Sequence, residues 1–106
     1  MLVVSRFRVP VEQGETFRDE LQQALDALAE RPGHLGGTLG RNVDDPTLWV
    51  LTTTWEHVGA YRRALSAYDV KMRAVPLLSR ALDEPSAYEV VEPETVLNDQ
   101  SPRSLG

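Results

Sequence analysis

Tyr61 and Tyr68 stand seven residues apart, a spacing that puts both rings on one side of a helix. Two such rings suit an aromatic ligand, and their hydroxyls can hydrogen-bond a phenol; plain packing, with hydroxyls reaching the surface, is the alternative. Arg6, Arg8, Lys71 and Arg73 are the cations placed to anchor an anionic group. Arg6 and Arg8 share one strand face. Buried cations need partners, so salt bridges to Glu89 or Glu56 on neighbouring strands are expected. His34 follows a turn glycine and is expected in solvent, with proton shuttling as its alternative role.

Other chemistries are poorly supplied. The 106 residues hold no cysteine and two histidines, His34 and His57. Neither a disulfide framework nor a thiolate or His-rich metal centre can be assembled from these, and no cofactor is expected. No Gly-rich phosphate loop leads from a strand into a helix. Net charge is -5, which argues against nucleic acid, whose phosphates are tracked by clustered Lys and Arg. The opening Met1-Leu2-Val3-Val4 is broken by Arg6 and Arg8. It is neither a signal peptide nor a membrane span, so a cytoplasmic protein without membrane partners is expected.

The elements that must position these side chains are organised around Leu48 to Glu56. Nearly every residue there favours a pleated strand. Trp49, Leu51, Thr53 and Trp55 fall on one parity; Leu48, Val50, Thr52 and Thr54 fall on the other. Neither face is plainly polar, which predicts a strand covered on both sides. A chain this short can cover one face with its own helices. The other cover is expected from a second copy.

Met1 to Val9 reads as a strand ended by Pro10. Phe17, Leu21, Ala24, Leu25 and Leu28 form one helical stripe between Glu15 and Glu30. Arg31-Pro32-Gly33 stops that helix. His34 to Asn42 is a strand with three glycines, which predict a bulge or a close backbone approach. Asp44-Asp45-Pro46 turns the chain into the central strand. His57 to Tyr68 reads as a second helix, and Asp69 to Leu82 as more helix broken near Val75 by Pro76. Ser86 to Val91 is the last strand. Residues 1–92 form one domain. Pro93 to Gly106 reads as a frayed tail, or as an arm lying on a partner.

This order predicts an α+β fold: a ferredoxin-like βαββαβ sandwich, with a four-stranded antiparallel sheet and helices on one face. Packing the bare sheet face in a homodimer would remove an exposed apolar patch. RNA-recognition motifs share the element order, but their aromatic-glycine signature is missing here.

Phe17 and Leu21, Arg31-Pro32-Gly33, Asp44-Asp45-Pro46 and Thr54-Trp55-Glu56 followed by Tyr61 occur in an order that resembles the antibiotic biosynthesis monooxygenase family of dimeric α/β-barrel proteins. The resemblance covers about Met1 to Val91. It implies small homodimers with a pocket between sheet and helices. Characterised members include cofactor-independent oxygenases of polyketide quinols and haem-degrading enzymes. Trp55 matches the family's tryptophan at the end of the third strand, where an indole can wall a pocket and offer one N–H donor. The candidate catalytic residues are then Trp55, on the resemblance, with Tyr68 from its place on the helix and Arg73 or Arg8 from its charge. Leu51, Tyr61, Phe17, Leu65 and Met72 are the candidate substrate-binding wall. Two positions depart from the pattern. Ser66-Ala67-Tyr68 stands where many members carry Ser-x-His, so the haem ligand is missing. Leu51 stands where the quinol-oxidising relatives carry asparagine.

The implied activity is cofactor-independent monooxygenation of a small, quinol- or phenol-like aromatic. The alternative is a non-catalytic dimer of the same fold that binds a small aromatic or apolar molecule.

Overall fold

The computed structural model describes residues 1–98. Strand β1 spans Leu2–Arg8 and is followed by a 3-10 turn at Val11–Gln13. Helix α1 spans Gly14–Ala29, strand β2 His34–Arg41 and strand β3 Leu48–Trp55. Three short helices follow, α2 at Val58–Ser66, α3 at Tyr68–Arg73 and α4 at Val75–Leu78, before strand β4 at Ala87–Tyr88. The sheet order is β2-β3-β1-β4, and every pairing is antiparallel. This is the ferredoxin-like arrangement expected from the element order. The sheet of one chain is open, not closed into a barrel. Among the described residues, no helix is long and apolar enough to cross a membrane.

Alternation decides which side of each strand is buried. Trp49, Leu51, Thr53 and Trp55 of β3 are buried under the helices, together with Val3, Ser5 and Phe7 of β1. Leu48, Val50, Thr52 and Thr54 lie half-buried on the far face, beside Leu2 and Val4. That face therefore has no cover from the described residues of the chain. Arg6 and Arg8 lie on it too, but their partners differ from those expected. Arg6 is held by Glu84, with Nε–Oε1 at 2.6 Å, and Arg8 by Asp45, with Nη1–Oδ2 at 2.7 Å. Both carboxylates come from turns, not from neighbouring strands. Asp45 also accepts from the hydroxyl and backbone N–H of Thr47, and these bonds with Arg8 hold its carboxyl at about 2.

The α1 stripe is Phe17, Leu21, Ala24 and Leu28, all at most 2% exposed. Gly33 ends the turn after α1 with φ at +89°. A Cβ added there would overlap the Ala60 Cβ of α2. Gly33→Ala is therefore expected to cost about 2 kcal/mol, part from the left-handed backbone and part from the overlap. Thermal denaturation checks this, and adding Ala60→Gly should return the overlap part. The glycines of β2 behave as read. A bulge lies between His34 and Gly36, and a Cβ on Gly37 would overlap Leu25 of α1.

Two expected helices come apart differently. The helix read from His57 to Tyr68 ends at Ser66, because Ala67 is extended, with φ at -68° and ψ at 138°. Tyr68 then opens α3 on a new axis. The second break falls at Ala74, one residue before the position expected, with Pro76 in the first turn of α4. The last strand is two residues long where six were expected. Of the expected tail, residues 93–98 carry a single turn, closed by Thr95 N–H donating to Glu92 O; Asp99 to Gly106 lie outside the described residues.

Candidate active site

Two aromatic clusters mark the ends of β3, six residues or roughly 20 Å apart. Phe7, Phe17 and Trp49 make one, with centroid separations of 5.3 and 5.4 Å. His34, Trp55 and Tyr61 make the other, at 5.1 and 5.5 Å. Phe17 thus sits at the opposite end of the core from Trp55, and the expected wall containing both does not form. Phe17 instead packs under Arg80, whose guanidinium lies 5.6 Å from the ring centre.

Trp55 is 1% exposed. Its indole N–H donates to the Thr53 hydroxyl at 2.9 Å. The donor expected for a ligand is already used, by the residue two before it on the same strand face. Trp55 therefore acts as a floor: its ring carries Tyr61.

Tyr61 reaches from α2 into a cleft of about 410 Å³. The cleft opens along β1, between that strand and residues 78–86. Two backbone bonds frame it, Val4 N–H to Ser86 O at 2.7 Å and Leu82 N–H to Arg6 O at 2.8 Å. Between these anchors the chain bows off the strand edge. Leu78, Ala81, Leu82 and Val4 give apolar walls, and Ser5 lies in the lining beside Tyr61. At the mouth stand Asp83 and the Arg6–Glu84 pair. Burial raises the Tyr61 phenol above its ordinary value, so it is a neutral donor at neutral pH.

The other expected site residues fall elsewhere. Leu51 is buried in mid-sheet, opposite Ser5 across the β1–β3 ladder. Leu65 packs on the core from α2. Tyr68 is 78% exposed and Met72 61%. The seven-residue spacing fails to bring Tyr61 and Tyr68 together because Ala67 interrupts the helix between them. Arg73 pairs with Asp69 one turn back, at 2.8 Å, and with Glu30 at 3.7 Å. Neither Tyr68, Met72 nor Arg73 lines the cleft.

His34 is not in solvent as expected. Its Nε2 is buried and has no partner among the described residues, and its ring meets Trp55 nearly at right angles. Burial lowers its pKa below the usual value of 6.5. The folded state then resists a proton that the unfolded chain accepts. Stability is whole above the unfolded value near 6.5 and falls as the pH drops below it. Urea titrations at pH 7.5 and 5.5 should show this loss, and His34→Gln should lose less between the two.

Sequence reasoning named Arg6 but missed Ser5, Leu78, Leu82 and the Glu84 that pairs with Arg6. Ser5 had a signal: it is the one polar residue on the buried parity Val3, Ser5, Phe7 and Val9. The loop residues had none.

The antibiotic biosynthesis monooxygenase family model matches residues 1–71, two thirds of the chain. The chain belongs to that family. Solved structures share the monooxygenase family's fold with it. A variant of SnoaB, a cofactor-independent oxygenase from Streptomyces nogalater, superposes with a TM-score of 0.68 at 24% identity, covering 91% of this chain and 94% of that one. A protein from Deinococcus radiodurans named for the same family gives 0.70 at 19% identity, covering 92% and 100%. A 42.8 kDa protein in the whiE locus of Streptomyces coelicolor is 32% identical over 47 residues, 44% of this chain. The match spans 12% of that relative's length.

Proposed function

We propose that this family member is a cofactor-independent monooxygenase of a small hydroxyaromatic, bound in the cleft between β1 and residues 78–86. The observation that carries this is the placing of Tyr61: a neutral phenol on an indole floor, facing a cleft of mixed polar and apolar lining large enough for a fused ring system. SnoaB, a relative in fold, is described as a cofactor-independent oxygenase.

The chemistry needs no external reductant. An electron-rich phenol or quinol gives up a proton, and its anion passes an electron to O₂. Recombination forms a carbon–oxygen bond. The first proton returns to the peroxide, and loss of water, made from its outer oxygen, that proton and the ring hydrogen, converts a ring C–H to C=O, so O₂ takes four electrons, all from the substrate. One oxygen atom enters the product and the other leaves as water. Tyr61 donates a hydrogen bond to the developing oxyanion, where a fixed donor in a dry site is worth most. The proton leaves and returns through the mouth, where Asp83 and Glu84 stand. Trp55 holds the Tyr61 ring, and Leu78 and Leu82 exclude water.

We also infer a homodimer through the far sheet face, where Leu2, Val4, Leu48 and Val50 lie only half-buried. Val50→Glu is expected to leave a monomer in sedimentation at micromolar concentration. A dimer that survives this change uses another face.

Oxygen uptake across a panel of anthrones, quinols and catechols, with chelator present, tests the activity. Uptake above the buffer rate supports an oxygenase. Saturable binding without uptake supports a binding protein of the same fold.

A further inference from the structure

Ser5 is the one polar residue on the buried face of β1, at 9% exposed between Val3 at 4% and Phe7 at 1%. Its cross-strand neighbour is Leu51, which offers no hydrogen-bonding group. Among the described residues, nothing hydrogen-bonds the Ser5 hydroxyl, and Ser5 lines the cleft with Tyr61. Ser5 Oγ is not among the buried atoms that lack a partner, so the hydroxyl is open to the cleft and free to bond a ligand there. Ser5 and Tyr61 each have a hydroxyl that both donates and accepts. They enter the cleft from two different elements, β1 and α2.

The mouth adds a second constraint. Arg6 is bound to Glu84 through two bonds, Nε to Oε1 at 2.6 Å and Nη2 to Oε2 at 2.8 Å. Its charge is therefore matched, and Asp83 leaves the mouth one negative charge in excess. An anionic ligand meets repulsion there and, among the described residues that line the cleft, no unpaired cation.

We infer that Ser5 is a specificity residue: with Tyr61 it recognises the hydroxyl of an uncharged aromatic, and the acidic mouth selects against aryl carboxylates. This rests on reading the cleft as the substrate site.

Three probes separate the parts: 1-naphthol, naphthalene and 1-hydroxy-2-naphthoate, each followed by quenching of tryptophan fluorescence in the full chain, with Trp49→Phe as the background that leaves Trp55 as the reporter. Wild type should bind 1-naphthol more tightly than naphthalene. Ser5→Ala should weaken 1-naphthol by about three- to tenfold, the range for one neutral hydrogen bond, and leave naphthalene unchanged. The naphthalene control reads folding in the same sample, since a damaged core would lose both probes. An equal effect on both probes, or none on either, overturns the role of Ser5 and leaves the cleft reading standing. Naphthoate bound as tightly as 1-naphthol overturns the charge selection. Failure of wild type to bind any probe overturns the cleft reading and this inference with it.

Discussion

Trp55→Ala is expected to lower the stability of the fold by about 3–5 kcal/mol. The ring is 1% exposed and touches β2 through His34 and α2 through Tyr61, so nothing nearby is free to fill the void. The substitution also strips Thr53, 3% exposed, of the donor to its hydroxyl. Small domains have only about 5–15 kcal/mol in total, so the melting point should drop by about 15 °C or more. Calorimetry checks this. Trp55→Phe should cost less, about 1–2 kcal/mol, because part of the volume stays and only the hydrogen bond is wholly lost. A Trp55→Ala protein that melts within a few degrees of wild type would mean that the indole is not the floor of this end of the core.

Tyr61→Phe is expected to cut turnover about a hundredfold while changing stability little. The ring and its contact with Trp55 remain; only the hydroxyl goes. That hydroxyl is the donor the proposed reaction needs where negative charge builds up on the substrate oxygen. The loss should fall mainly on kcat, because a donor that strengthens in the transition state contributes less to ground-state binding. An effect confined to KM would make Tyr61 a binding residue without a part in the chemistry. The raised phenol value sets the pH behaviour. Tyr61 stays protonated through the neutral range, so activity should not rise with a tyrosine base ionising there.

The fold was legible because its signals are periodic. Alternation in Leu48 to Trp55 and the stripe from Phe17 to Leu28 each state which face is buried. Arg31-Pro32-Gly33 states a stop in terms of backbone geometry. The candidate site was less legible, for reasons visible in particular residues. Ala67 is a good helix former, and no glycine or proline announces that the helix ends there, so Tyr68 was placed on the wrong axis. The partner of the Trp55 N–H was readable in principle, since Thr53 two residues before must share its face. Glu84 closing onto Arg6 was not readable, because the two are 78 residues apart and meet only through the path of an irregular segment. Function gathers where periodicity ends, and the cleft is bounded by just such a segment.

A titration of amide NMR shifts with 1-naphthol shows most directly whether the cleft beside Ser5 and Tyr61 is where an aromatic binds. Saturable shifts should concentrate at Val4 to Arg6, at Tyr61 and from Leu78 to Ser86. Shifts gathered instead around Val58 and Ala87 to Val90, or around Val11 to Arg18 with Arg41 and Trp49, would place the ligand in one of the other surface cavities and contradict the cleft reading.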